Sequence, residues 1–217
     1  LAFAATDPRG LRENFSALYS WAYNSGALTA GNNGNNDSGV FLQNAISYSN
    51  THGPVGIAAA YSISEGRGAV YSLGATYSGP ISLSAAYQST NKPGTSDGLS
   101  TIYTVGAGYT IGPLTGKLNY LRGVNKNTTL VETSKVDVVG LGGDWKTTSN
   151  NTVMVAAYFG KDKDNSADKT TTFIFSDEYA LSKRTTLYGA LTIANAKTGA
   201  TLLTTVVADG TSNVDAY

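Results

Sequence analysis

A chain of 217 residues is long enough for one large all-β domain or two small ones. Its 15 basic residues balance its 15 acidic ones, and 14% of the chain is charged where soluble domains average roughly 25%. That balance excludes the broad positive field that nucleic-acid binding requires, and the lack of cysteine excludes disulfides, thiolate nucleophiles and Cys-based metal sites.

The opening "LAFAATDPRG" lacks the basic and apolar regions of a signal peptide. It also has no initiator Met, so the chain reads as processed or cut. Residues 1–39 read as a long loop with a short helix over 11–23, with Asp7 before Pro8 as its N-cap candidate, followed by a Gly/Asn tract. From residue 40 onward the chain alternates. Strands are predicted near 40–50, 55–64, 69–78, 81–89, 99–111, 114–122, 135–147, 151–161, 170–181 and 185–196, with an eleventh beginning at Val214 and cut off at Tyr217. No apolar run approaches the ~18 residues of a membrane helix.

The connections fall into two alternating classes. "THGP", "SGP", "GP", "TSN" and "SKR" are short, and "QSTNKPGTSDG", "GVNKNTTLVETS", "KDKDNSAD" and "KTGATLLTTVVADGTSN" are long and polar, with "EGRG" the one brief member of the second class. An up-and-down sheet places alternate connections at opposite ends, so one end is trimmed and the other carries the loops.

In "YSLGATYSGPISLSAAYQ" (71–88), Tyr71, Leu73, Ala75, Tyr77, Ile81, Leu83, Ala85 and Tyr87 share one face. Ser72, Thr76, Ser82 and Ser84 share the other, to which alternation also assigns Lys117. A soluble sandwich or barrel would place Lys and Glu on its solvent face, whereas the polar face here is small and nearly uncharged. The pattern instead fits a transmembrane β-barrel, with apolar residues toward lipid and small polar residues lining a lumen. Tyr48, Tyr77, Tyr109, Trp145 and Tyr179 each lie just before a short turn, as an aromatic girdle at one membrane interface does. Closure would satisfy the backbone where lipid offers no hydrogen bonds.

Enzyme signatures are weak. His52, the one histidine, falls in a predicted turn and reads as a surface residue rather than a member of a Ser-His-Asp triad. "GYTIGPLTGK" lacks P-loop spacing and crosses a hairpin. Asp177 and Glu178 are adjacent, so they point to opposite faces and do not work as an acid/base pair.

"YALSKRTTLYGALTIANAKTGA" (179–200), "NAISYSNTHGPVGIAAAYS" (44–62) and the 71–88 hairpin resemble, in family order, hairpins of the Gram-negative general porins, trimeric outer-membrane diffusion channels. The resemblance implies an all-β, antiparallel up-and-down transmembrane barrel of sixteen strands. This chain would supply about ten or eleven strands as residues 40–217, with the last one truncated and about five N-terminal strands missing. It further implies a bacterial outer-membrane location, outer-membrane lipid and a homotrimer as partners, ions and small hydrophilic solutes as cargo, and neither cofactor nor metal. Residues 1–39 would be the loop that narrows the pore, with Asp7, Glu13 and Asp37 as its acidic groups beside Arg9 and Arg12. Simpler roles stay open: Asp7 caps a helix, Glu13 pairs with Arg9, and Asp37 lies in plain loop. A non-transporting barrel or soluble β-domain used for surface binding or adhesion is the alternative.

Overall fold

The computed structural model describes residues 44–63, 68–165, 169–196 and 214–216. They form one antiparallel sheet in which every strand pairs with its neighbours in sequence. Its strands are β1 (Ala45–His52), β2 (Val55–Ser62), β3 (Val70–Ser78), β4 (Ile81–Asn91), β5 (Gly98–Ile111), β6 (Leu114–Lys126), β7 (Glu132–Lys146), β8 (Asn151–Asp162), β9 (Lys169–Ser182), β10 (Thr185–Ala196) and β11 (Val214–Ala216). This is the all-β up-and-down arrangement expected from the alternation. The predicted helix and loop over 1–39 lie outside the described residues.

Local chemistry sets the short turns. Gly53 and Gly112 have φ of 56° and 55°, and each precedes a proline. A left-handed first residue followed by Pro is the φ sequence of a type II′ turn, whose twist matches that of the strands it joins. At the third Gly-Pro, a Cβ on Gly79 would lie 2.5 Å from the Tyr77 ring, so glycine is what lets that ring fold over the turn.

Two strands outrun the sequence reading. β6 continues to Lys126 and β7 starts at Glu132, leaving 127–131 of the loop expected over 123–134. Asn127 closes this connection, its Oδ1 accepting from the backbone N–H of Thr129 and of Val131, both at 3.0 Å. Leu130 beside it takes a left-handed φ of 68°.

Register keeps like with like. Leu73 opposes Tyr87, Leu83 opposes Ala107, and Leu118 opposes Leu141, all on one face. That face is the exposed one: Leu73 is 62% and Ile111 66% accessible, while Asn119 and Ser176 on the other face are fully covered. Polarity is therefore inverted relative to a water-soluble sheet.

Candidate functional site

The protected face carries the small polar residues. Ser72, Thr76 and Ser82 are half-buried there and Ser84 is buried. Covered polar side chains need partners, since an unmade hydrogen bond at such a site costs about 1–3 kcal/mol. Cross-strand pairs supply several of them. Thr104 Oγ1 donates to Asn119 Oδ1 at 2.6 Å, and Ser100 Oγ to Asn125 Oδ1 at 3.1 Å.

Two features of this face depart from the sequence reading. Lys117, expected as a lone wall charge, is ion-paired to Asp144 at 2.9 Å, because the β6–β7 register places Asp144 two residues diagonally from it. The face is also not uniformly polar: Leu121, Val138, Met154 and Ile174 are buried on it. In β7 and β8, Val or Ala occurs on both faces (Val138 and Ala156 on the protected one, Val139 and Val155 on the other), so alternation there marks no face.

On the exposed face, Tyr48, Tyr77, Tyr109, Trp145 and Tyr179 all stand outward near the short turns. A second row escaped the sequence reading. Tyr61, Tyr71, Tyr87, Tyr103 and Tyr120 occupy the same face toward the long-loop end, one on each of β2 to β6. Each lies six residues along its strand from Val55, Tyr77, Ile81, Tyr109 or Leu114 at the short-turn end, which is ~20 Å of strand. That constant interval was the available signal. The Tyr71 and Tyr87 rings approach to 6.0 Å between centroids.

Beyond this row the exposed face becomes ionic. Arg122 Nε and Nη2 donate to the two oxygens of Asp137 at 2.5 and 2.8 Å. Tyr120 OH donates to Asp137 Oδ1 at 2.8 Å, and Lys163 Nζ lies 3.0 Å from Oδ2. The fork of a guanidinium matches a carboxylate bidentately, and such pairs are the stronger hydrogen bonds. The cluster sits where a strand would leave hydrocarbon, where charge is tolerated.

His52 stands exposed at the β1–β2 turn, and Asp177 and Glu178 alternate, Asp177 outward. Among the described residues no three His, Cys, Asp or Glu side chains gather as metal ligands. Asp7, Arg9, Arg12, Glu13 and Asp37 lie outside the described residues.

A strand-only sheet that shows lipid-compatible residues outward, bounded by two tyrosine-rich rows, belongs to the class of outer-membrane β-barrels. The family model described as Gram-negative porin matches residues 10–199, and the chain belongs to that family. Among solved structures it is similar to an anion-selective porin from Comamonas acidovorans, at 20% identity and a TM-score of 0.70 over 91% of this chain and 60% of that one. It is similar also to in-vitro folded OmpT, an outer membrane protein of Vibrio cholerae, at 12% identity and 0.64, covering 94% of this chain and 66% of that one. A Rh. blastica porin mutant matches at 21% identity and 0.53, covering 90% and 63%. The chain thus spans about 60% of the length of the Comamonas porin. No curated protein sequence matches it.

Proposed function

We propose that this chain forms most of the wall of a general diffusion channel, through which ions and small hydrophilic solutes pass down their gradients across the outer membrane. The observation that carries this reading is the inverted polarity of the sheet: its exposed face is dominated by large apolar side chains such as Leu73, Leu83 and Ile111, while Ser, Thr and Asn side chains such as Ser84, Thr104 and Asn119 are covered on the other face, alongside a few apolar ones. A closed sheet of this kind meets lipid without unpaired backbone and encloses a wet lumen. Ser72, Thr76, Ser82 and Ser84 are its lumen-side residues, and the two aromatic rows are its interfacial girdles.

Residues 1–39 supply the constriction, with Asp7, Glu13 and Asp37 facing the lumen and Arg9 and Arg12 beside them. Charged groups set ion preference in a narrow pore because they act at close range. The assembly is a homotrimer in a sixteen-stranded form. Transport is passive and needs no covalent chemistry, so His52 and the carboxylates have no catalytic part. On the wall described here Lys117 is paired with Asp144, so it adds no net charge to the protected face.

Planar-bilayer recording tests the reading. The expected result is a salt-dependent, ohmic conductance rising in triplets of equal steps; an electrically silent membrane after verified insertion refutes transport. Spin labels separate the faces independently. A label at Leu73 or Leu83 should be relaxed by oxygen dissolved in lipid, and one at Ser72 or Ser84 by an aqueous paramagnet.

A further inference from the structure

We propose that the protected wall of β1–β3 holds a weak contact site for neutral sugars, in which the hydroxyls of Thr51 and Thr76 hydrogen-bond the rim of a single sugar ring laid over Gly56. The site rests on the channel reading and deepens it, since it places an uncharged solute on one sector of the wall.

The site is a concavity of ≈ 480 Å³ bordered by Ser49, Thr51, Gly56, Ala58, Gly74 and Thr76. Register puts these six on one face: Thr51 opposes Gly56, which opposes Thr76, and Ser49 opposes Ala58, which opposes Gly74. At both rungs the middle strand offers only a hydrogen or a methyl group, so the wall is dented between hydroxyl-bearing neighbours. Thr51 and Thr76 lean into the dent from either side. A Cβ on Gly56 would lie 2.6 Å from Thr76 Oγ1 and 3.7 Å from Thr51 Oγ1. Glycine thus keeps open a space that two hydroxyls flank. Among the described residues neither hydroxyl has a hydrogen-bond partner.

Charge decides the ligand. The protected positions of β1–β4 carry no acid, Lys or Arg, whereas Lys117, Asp144, Lys146, Asp162 and Glu178 stand on the same side of β6–β9. Ions are drawn to the charged sector. The neutral sector offers hydroxyls, each donor and acceptor at once, on which a sugar hydroxyl replaces water at little cost. A sugar ring carries hydroxyls around its rim and C–H groups on its faces. Thr51 and Thr76, two strand spacings of ~4.8 Å apart, meet the rim, and the Ala58 methyl and Gly74 form a floor for one face. No aromatic side chain among the described residues lines the dent, so the contact is weak. That suits a conduit, whose sites must release what they bind.

Swelling of proteoliposomes in isosmotic L-arabinose or D-glucose, scaled to the KCl conductance of the same preparation, tests the site in the full chain. The parent should swell in both sugars. In Thr51→Val/Thr76→Val, which keeps both side-chain shapes, the sugar-to-KCl ratio should fall about fivefold, the factor equivalent to two hydrogen bonds at the weak end of their range. Thr51→Ser/Thr76→Ser keeps the hydroxyls and should restore the ratio. Gly56→Val fills the dent and should slow glucose more than arabinose. An unchanged ratio in the double Val variant overturns the proposal, as does a ratio that the double Ser variant fails to restore or a glucose flux that Gly56→Val leaves untouched. A parent that conducts KCl but swells in neither sugar overturns the proposal and leaves the channel reading standing; a parent that conducts nothing overturns both.

Discussion

The outward face of β1–β4 and that of β6–β9 obey different rules. β1 to β4 are 8, 8, 9 and 11 residues long, and their outward side chains from turn to tyrosine row carry no acid, Lys or Arg. β6 to β9 are 13, 15, 12 and 14 residues long, and their added length carries Arg122, Asp137, Lys161 and Lys169 on that same face. Pairing continues past the tyrosine row because a ladder needs only its partner strand. Side-chain polarity changes there because the surroundings do. A strand's length and its lipid-facing length are separate quantities, and the tyrosines mark where the second one ends.

The widest gap between the regions should come from placing one cation in each. Leu73→Lys, mid-strand in β3, should destabilise the barrel by ~2–4 kcal/mol, and Val124→Lys, beyond Arg122 on β6, by under ~1 kcal/mol. Guanidinium unfolding in lipid vesicles, followed by tryptophan fluorescence, measures both, and equal costs would erase the distinction. Next in size, Asp137→Ala strips Arg122, Tyr120 and Lys163 of their shared acceptor and should cost about 2 kcal/mol in the same assay. Gly112→Ala forces an L-residue to a φ of 55° and should cost about 1 kcal/mol with conductance unchanged. The smallest effect is electrical. Asp144→Asn frees Lys117 from its partner, so the reversal potential in a salt gradient should move toward anions, and adding Lys117→Gln should restore it.

Much of this was legible because turn residues punctuate the chain. β5 stops at Ile111 and β6 starts at Leu114 because Gly112-Pro113 allows little else, and the Tyr/Leu against Ser/Thr alternation of β3 and β4 assigned their faces without a structure. Legibility failed where composition stops marking a face. "GVNKNTTLVETS" is polar on both sides and reads as loop, yet most of it is strand, because a ladder in water needs no apolar side. "VDVVGLGG" places Val at positions of both parities, which hid Val138 on the protected face. The Lys117–Asp144 pair joins residues 27 apart, and only the register reveals it. The proposed constriction residues from Asp7 to Asp37 have sequence support alone.

The neighbour-to-neighbour order of the sheet bears on how the protein is built. Each new hairpin finds its docking edge on the hairpin made just before it, so growth can run as a zip with little chain to search, the circumstance in which folding is fast. At every intermediate stage, however, one strand shows bare amides and carbonyls to a solvent that cannot bind them. A sheet wired this way calls for a chaperoning edge throughout its insertion, and a defect in one hairpin would halt every strand after it.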